Sequence, residues 1–546
     1  MDKHRRSVKL RRMDPSTLPG DADALRTMLL EVTALKDNLE AELAGQQTEI
    51  ENLREQLRLL LHKRFGPSSE RLSDEQLQLF NEAEDLTEKE EAAEAEETIS
   101  IQAHTRVRKG RRPLPASLAR VEVLHDLSEE EKVCPLDGCG LNRIGEETYE
   151  QLSVIPSRMQ VIRHVRPKYA CPHCQEGVRI SPPPPQVIPK SMASAGLLAY
   201  IATSKYVDAL PLYRQSKIFE RWGIDLSRTV MANWMIMTGT AAQPIINLLR
   251  DELIENAIIQ CDETRCQVLK EPGRPAQRQS YIWAQRGGSE HHPVILFDYD
   301  SSRGGEVPQR LLEGFSGYLQ TDGYDGYNPV CKDNGKIVRV GCWAHSRRRF
   351  DEAVKAQKKV KGGEGSRKLS KAHKGLWFVK ELYKIEGEIR GKPPEERKEV
   401  REAQARPILN ELRKWLDASR DQVPPKSLTG RALGYLHDQW EHLIRYLDDG
   451  RLEMDNNRIE NAIRPFVIGR KNWMFSDTVK GAEASANIYS LIETAKANGL
   501  DPYRYLLHLL TELPKAKRVE DFEKLLPTRC TEEEIAETIR RDPAFG

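Results

Sequence analysis

The sequence lacks long apolar runs, is poor in cysteine and carries almost no net charge. No apolar stretch approaches the roughly 20 residues that cross a bilayer, and the basic N-terminus lacks the apolar segment of a signal peptide. Nine cysteines in 546 residues do not make a disulfide framework. We therefore expect a cytoplasmic protein, in which paired cysteines more often bind a metal ion.

The 84 basic and 83 acidic residues nearly cancel, so the net charge says nothing about nucleic acid. Charge is concentrated locally instead. Residues 3–12 contain six Lys or Arg, residues 106–120 contain six more and no acid, and residues 82–97 contain nine acids and one Lys. A chain of this length exceeds one compact core. We expect a basic disordered tail over 1–24 and an acidic, then basic, linker over 67–120.

Apolar residues recur at spacings of three and four over residues 25–66, which predicts a coiled coil with one phase shift. The seam positions are Leu25, Met28, Val32, Leu35, Leu39, Leu43, Gln46, Ile50, Leu53, Leu57 and Leu60. A stripe this long with charged flanks indicates a partner helix, and hence a homo-oligomer that is a dimer or higher. A helix packed on its own domain is the alternative.

The basic segment at 104–120 is a candidate DNA-contacting arm. Arg108, Lys109, Arg111 and Arg112 form a cluster without acidic neighbours, which favours contact with phosphates along a DNA groove. A plain basic linker explains the same composition.

Two cysteine pairs, Cys134 with Cys139 and Cys171 with Cys174, predict one structural zinc ion in a zinc-ribbon-like domain over 121–190. Four thiolates satisfy tetrahedral zinc and leave no open position for chemistry. The second pair is the stronger signal, although His173 could replace a cysteine. Four unliganded cysteines are the alternative.

Residues 191–250 are predicted to be a helical region that contains a helix-turn-helix. A helix that ends near Trp222 is followed by Gly223, and Ser227 can cap a second helix. The side chains that would face DNA are Arg228, Thr229 and Asn233. A helical hairpin that only packs within the protein is the alternative.

Two apolar strands each lead to an aspartate. Asp262 follows the stretch 257–261, and Asp322 follows 317–321. Neighbouring strands would bring the two carboxylates together, and their repulsion favours a cation between them. Oxygen ligands of this kind suit Mg²⁺ or Mn²⁺. With Glu460 as the third ligand, we predict a two-ion site for phosphodiester chemistry. Glu263 points to the other face of its strand and is a poorer ligand.

Glu460 lies in a predicted helix that we expect Pro465 to end, with a basic extended segment following over 469–475. The residues expected to hold the DNA backbone near the carboxylates are Asn457, Arg464, Arg470 and Lys471. Upstream, a predicted strand over 337–340 runs into a segment with further candidate DNA contacts at Arg347 and Arg348. His345 either contacts the scissile phosphate or caps the core, and Trp343 is predicted to be core.

Together these stretches resemble transposases of the insertion sequence 66 family, in the DDE group. The resemblance extends from the coiled coil to about residue 527. The segments that carry it are 165–171, 204–215, 321–327, 342–345, 456–460, 469–472 and 488–496. The first cysteine pair is wider than the form usual in that family.

The resemblance implies a bacterial enzyme with a ribonuclease-H-like α/β core, Mg²⁺-dependent DNA cleavage and strand transfer, and two small accessory proteins. We expect the protein to be nucleoid-associated when bound to DNA. The expected core comprises 251–350 and 451–512, around a helical insertion at 351–450 and before a C-terminal tail at 513–546. A catalytically inactive DNA-binding regulator and a coiled-coil scaffold without DNA affinity are the alternatives.

Overall fold

The computed structural model describes three parts of the chain. They are residues 21–46 except 22, 25, 28, 41, 44 and 45, residues 159–169, and residues 179–542 except 290, 334 and 359–369. The chain divides into two compact units, Leu72–Val161 and the combination of Met1–Arg71 with Ile162–Gly546. All elements below belong to the second unit. The predicted zinc ligands, the basic arm and the charged linker lie outside the described residues.

The described residues between 23 and 46 are helical, which confirms the helix that the apolar spacing predicts. Apolar side chains on this helix are at least half exposed: Leu29, Leu30, Val32, Leu35, Leu39 and Leu43. Association of this stripe with a second chain stays a prediction.

A short antiparallel pair, β1 (Lys168–Tyr169) and β2 (Arg179–Ile180), precedes four helices. These are α1 (Ala195–Tyr206), α2 (Leu212–Arg221), α3 (Arg228–Ala241) and α4 (Gln243–Ile254). Between α2 and α3 the chain turns at Gly223, whose φ is +78°. The side chain of Ser227 then accepts a hydrogen bond from the Val230 N–H at 3.3 Å. The predicted glycine turn and capped second helix are therefore confirmed.

A six-stranded mixed sheet follows α4. Its strands are β3 (Ile258–Lys270), β4 (Gln279–Gly288), β5 (Pro293–Asp300), β6 (Gly317–Gln320), β7 (Ile337–Val340) and β8 (Ser476–Thr478). The order across the sheet is β5-β4-β3-β6-β7, and β8 pairs with the far end of β3. Neighbours among β3, β4 and β5 run antiparallel, whereas β6 runs parallel to β3, and β7 to β6. Two short helices, α5 (Glu306–Leu311) and α6 (Asn328–Asp333), separate β5, β6 and β7.

The segment that is predicted to be a helical insertion is helical. Its helices are α7 (Trp343–Lys358), α8 (Lys371–Glu388), α9 (Pro394–Val400), α10 (Arg406–Arg420), α11 (Leu428–Asp438) and α12 (Trp440–Leu443), with a π-helical turn at Arg401–Ala405. They share an apolar core that includes Phe350, Leu382 and Leu412, and Trp343 is fully buried as predicted. Helix α7 ends at Lys358 and α8 begins at Lys371, and residues 359–369 between them lie outside the described part of the chain.

The next helix, α13 (Asn457–Trp473), contradicts two expectations. Pro465 lies inside it and does not end it, and residues 469–473 are helical, not extended. The residues beyond the proline are held by burial, since the Phe466 ring packs against Tyr489 and Trp473 at centroid distances of 5.3 and 5.5 Å. This apolar contact offsets the missing backbone hydrogen bond. The helix ends at Met474, whose φ is +66°.

Helix α14 (Val479–Ala497) covers the edge strand β5. Its Thr494 and Ser490 hydroxyls accept hydrogen bonds from the Ile295 and Phe297 N–H groups at 3.0 and 2.8 Å. These bonds satisfy edge donors that would otherwise be free to pair with another chain. The predicted C-terminal tail is largely helical, and the last three helices are α15 (Pro502–Glu512), α16 (Val519–Glu523) and α17 (Glu532–Arg541).

Candidate metal centre

The two candidate aspartates belong to neighbouring parallel strands, with Asp262 inside β3 and Asp322 two residues beyond β6. The register pairs Ile258 with Tyr318 and Gln260 with Gln320. Asp262 and Asp322 each stand two residues beyond that last pair, so they occupy equivalent places relative to the parallel pairing. The expectation that the first strand ends at Asp262 is wrong, because β3 continues to Lys270 through its pairing with β4, whereas Asp322 lies beyond the end of β6. The structure therefore brings these two predicted ligands near each other, just beyond the last pair that joins β3 and β6.

A buried amide ladder joins these strands to the segment that precedes α13. The Gln260 side chain donates to the Gln320 side chain at 2.9 Å, and Gln320 donates to the Glu453 carbonyl at 2.7 Å. One turn before Glu460, the Asn456 side chain donates to the Cys261 carbonyl at 3.0 Å. The chain enters α13 at a position fixed by the aspartate-bearing strands.

Glu460 lies in the first turn of α13 and is 3% exposed. The positive end of the helix dipole favours a carboxylate there. His345 Nδ1 lies 3.8 Å from one oxygen of Glu460, and Arg348 Nη2 lies 3.7 Å from the other. The sequence analysis gave Arg348 as a candidate DNA contact and left His345 between the scissile phosphate and the core, and the structure places both side chains beside the third carboxylate.

The carboxylates of Asp322 and Glu460 affect the pKa of Asp262. Burial raises the pKa of Asp262 well above its usual value, and the carboxylates of Glu263, Glu460 and Asp322 raise it further. A hydrogen bond from the Glu263 N–H acts in the opposite direction. Ionised carboxylates that repel one another in a partly buried site fit a divalent cation, which would neutralise them.

The carboxylate oxygens of Glu263 already have partners in other side chains. Its carboxylate contacts Arg303 Nη2 at 2.6 Å and accepts a hydrogen bond from the Tyr327 hydroxyl at 2.7 Å. Burial and the nearby Asp322 carboxylate raise its pKa to about 7, against the lowering effect of Arg303 and Tyr327. These contacts agree with the prediction that Glu263 is the poorer metal ligand.

Arg339 shapes the loop that carries Asp322, and sequence reasoning missed it. This residue is 2% exposed and donates to the carbonyls of Asp322 and Tyr324 at 2.7 and 2.8 Å. Asp322 Oδ1 accepts a hydrogen bond from the Tyr324 N–H at 2.8 Å. The available signal was a single arginine inside the apolar strand β7.

Cys342 and His345 lie at the start of α7, beside Glu460. The Cys342 sulfur accepts a hydrogen bond from the Asn456 N–H at 3.2 Å, and burial raises the pKa of this thiol. Burial and the guanidinium groups of Arg348 and Arg349 lower the pKa of His345 to about 3. This shift favours the neutral form of the His345 imidazole.

The other predicted DNA contacts are spread over several elements. Arg228 and Asn233 are exposed on α3, and Lys471 is exposed on α13. Asn457, Arg464 and Arg470 are partly buried on α13, and Arg347 stacks on the Tyr383 ring at 5.3 Å. Arg108, Lys109, Arg111 and Arg112 lie outside the described residues, as do Cys134, Cys139, Cys171 and Cys174.

Among the helices that the structure describes, none combines the length and hydropathy that crossing a membrane requires.

Comparison with protein families gives four matches along the chain. The model described as "Transposase IS66 family" matches residues 190–484, and the "IS66 C-terminal element" matches 490–528. The "zinc-finger binding domain of transposase IS66" matches 131–175, which includes the four predicted zinc ligands. The "Transposase C of IS166 homeodomain" matches 52–123.

Relatives with similar sequences occur in Sinorhizobium fredii (strain NBRC 101917 / NGR234). "Uncharacterized protein y4qI" is 33% identical over 542 residues, which cover 93% of this chain and 97% of that protein. "Uncharacterized protein y4jD" is 32% identical over 437 residues, which cover 78% of this chain and 83% of that protein.

Proposed function

This chain belongs to the insertion sequence 66 transposase family, and from that membership we propose that it binds the ends of an insertion sequence and cleaves and rejoins DNA. The observation that carries the proposal is the convergence of Asp262, Asp322 and Glu460. Two parallel strands in register and one helix N-terminus supply these acids, and the carboxylates of Glu460 and Asp322 both raise the pKa of Asp262.

We infer that the sheet is a ribonuclease-H-like core. In support, β3, β4 and β5 form an antiparallel meander, and β6 and β7 then add on the other side of β3 in its own direction. The first acid is on the first strand of this core, and the second directly follows the fourth. Glu460 returns to the same edge after the helical insertion.

The acids fit two Mg²⁺ ions, with Mn²⁺ as a possible substitute, because they are oxygen ligands at a shared edge. Bound ions of this kind would supply the Lewis acidity that activates an attacking hydroxyl and stabilises the leaving oxygen. The chain's own contribution is positioning. The Gln260–Gln320 ladder holds the aspartates in register, and Arg348 orients Glu460 through its second oxygen.

DNA would be held by surfaces on both sides of the acids. Asn457 and Arg464 share the α13 face that carries Glu460, and Arg470 and Lys471 extend the same helix. Arg228 and Asn233 on α3 suit a second contact through the helix-turn-helix. Arg347 is partly buried against the Tyr383 ring. It would contact DNA only at the rim of the site.

The N-terminal modules complete the proposal. Cys134, Cys139, Cys171 and Cys174 would hold one structural zinc ion, in keeping with the zinc-finger match over 131–175. The exposed apolar helix between 23 and 46 would pair with a second copy of the chain. We propose a cytoplasmic, nucleoid-associated protein that acts with two small accessory proteins.

The test is cleavage of duplex DNA that carries the element's own ends, with Mg²⁺ and then with chelator. Wild-type protein should cut at the element boundary, and Asp322→Asn should lose at least about a hundredfold in rate. Asp325→Asn is the matched control, because Asp325 is exposed three residues away. Equal rates for wild type and Asp322→Asn would remove Asp322 from the site. Specific binding without any cleavage by wild type would favour the inactive regulator.

A further inference from the structure

A second group of potential metal ligands adjoins the proposed site and includes one of its residues. The Cys342 sulfur, a ring nitrogen of His345 and a carboxylate oxygen of Glu460 all lie within 4.8 Å of one another. No other set of three such side chains is grouped this closely in the part of the chain that the structure describes. The proposed Mg²⁺ chemistry uses only the third of these residues.

The ligand types select a different metal from the acids. A thiolate, an imidazole and a carboxylate are the set that zinc accepts, whereas Mg²⁺ prefers oxygen alone. Ligand atoms in a tetrahedral zinc site are about 3.5 Å apart, given zinc–ligand distances of about 2.0 to 2.3 Å. Side-chain rotations that move each ligand atom by about 1 Å would therefore bring the three atoms to zinc-binding distance. The fourth coordination position would stay open.

Two features show that the group is preorganised. The Asn456 N–H donates to the Cys342 sulfur at 3.2 Å, and the backbone of His345 also donates to this sulfur. Such donors stabilise a thiolate at a helix N-terminus. His345 Nδ1 is buried, has no hydrogen-bond partner among the described residues, and lies 3.8 Å from Glu460 Oε1. An unpartnered buried nitrogen aimed at a carboxylate fits an intervening cation.

We propose that Cys342, His345 and Glu460 bind one Zn²⁺ ion and that this ion inhibits DNA cleavage by withdrawing Glu460 from Asp262 and Asp322. Binding displaces the proton of the Cys342 thiol into solvent. The two sites share Glu460, so zinc and the catalytic ions would compete for it. The inhibitory part of the proposal rests on the proposed function, whereas zinc binding does not.

Zinc content tests the binding directly. Full-length wild type, Cys342→Ser and Glu460→Gln would be dialysed against buffered micromolar Zn²⁺, and the metal per chain measured. Each variant should hold one zinc ion fewer than wild type, since the predicted site at Cys134, Cys139, Cys171 and Cys174 contributes equally to all three. Cys266→Ser is the matched control, because Cys266 is also buried but belongs to no ligand group.

Cobalt gives a second readout that is independent of activity. The difference spectrum between Co²⁺-loaded wild type and Cys342→Ser should contain a thiolate-to-metal charge-transfer band, while Cys266→Ser should match wild type. Circular dichroism would confirm that each variant is folded. Equal zinc content and superimposable cobalt spectra for wild type and both site variants would overturn the proposal.

Inhibition is measured on each protein relative to its own zinc-free activity with Mg²⁺. Micromolar Zn²⁺ should inhibit wild type, and Cys342→Ser should require at least tenfold more zinc for the same fractional loss. If wild type binds the extra zinc but never cleaves DNA, the proposed function fails and the zinc site stands. If wild type cleaves DNA and the variants match its zinc content, the zinc site fails and the proposed function stands.

Discussion

Gln260 donates a side-chain hydrogen bond to Gln320 at 2.9 Å, across two parallel strands and in the fully buried interior. Each glutamine stands two residues before a candidate catalytic aspartate. Gln320 also donates to the Glu453 carbonyl at 2.7 Å, in the segment that leads to Glu460. One pair of amides therefore links all three chain segments that supply the acids.

Replacing Gln320 with leucine should destabilise the protein by about 1 to 3 kcal/mol, because the Glu453 carbonyl would lose this donor and the buried Gln260 amide would keep only its 3.5 Å hydrogen bond to the Asp455 carbonyl. Urea unfolding measures the change. The double variant Gln260→Leu/Gln320→Leu should cost less than the sum of the two single variants, since it removes both members of the pair. Strict additivity would mean that the ladder does not couple the strands.

Replacing Asp262 with asparagine should abolish cleavage without destabilising the metal-free protein. Repulsion from neighbouring carboxylates already raises the pKa of Asp262, so removing its charge relieves strain between like charges. Thermal unfolding in chelator should show equal or greater stability for the variant. Adding Mg²⁺ at about 100 times its Kd should stabilise wild type by about 2.7 kcal/mol.

The same Mg²⁺ addition should stabilise Asp262→Asn much less, because one ligand is lost. Asp325→Asn, which alters an exposed aspartate outside the group, should respond to Mg²⁺ as wild type does. If Mg²⁺ stabilised all three proteins equally, Asp262 would not be a ligand of the bound ion.

Arg303 and Glu263 form an ion pair whose carboxylate is 1% exposed. Arg303→Met should destabilise the protein by about 3 to 5 kcal/mol, because it leaves a buried carboxylate without its cation. Glu263→Gln combined with Arg303→Met should recover part of this loss. Chemical denaturation of the two single variants and the double variant measures the coupling, and a double variant as unstable as Arg303→Met would contradict it.

The sequence predicts the elements that carry the candidate site but not how tightly they interlock. The apolar runs before Asp262 and Asp322 indicate two equivalent strands, and the glutamine two residues before each aspartate marks their shared register. The packing of Phe466 that carries α13 past Pro465 is tertiary, so local rules for proline gave the wrong helix end. The contact between His345 and Glu460 joins residues 115 positions apart, which periodicity cannot reveal.

Arg228 offers a test of DNA contact by the helix-turn-helix. It is exposed at the start of α3, where a phosphate contact would also profit from the helix N-terminus. Arg228→Ala should weaken binding and lower the slope of log affinity against log salt by about one. Lys217→Ala on α2 is the matched control, because Lys217 already pairs with Glu220 at 2.8 Å. Identical salt slopes for Arg228→Ala and wild type would exclude a phosphate contact at this position.

We expect His442 to make the stability of the protein depend on pH. Burial, with the nearby guanidinium groups of Arg339 and Arg445, lowers the pKa of His442 to about 4, against about 6.5 in the unfolded chain. Between these pH values His442 is protonated in the unfolded state and neutral in the folded state. The free energy of unfolding therefore falls as the pH drops from 6.5 towards 4. The slope is at most about 1.4 kcal/mol per pH unit, and less here because the ring is partly exposed.

His442→Gln should therefore lose less stability than wild type between pH 7 and pH 5, as measured by urea unfolding at both values. Other groups, including His345 with its pKa of about 3, titrate in both proteins and cancel in the comparison. The difference isolates His442, which lies in α12 and whose carbonyl accepts a hydrogen bond from the Gly341 N–H at 2.9 Å. Because this bond joins the insertion to the end of β7, protonation of His442 should loosen the insertion from the sheet at that point. Parallel pH profiles for the two proteins would show that His442 is not held neutral by the fold.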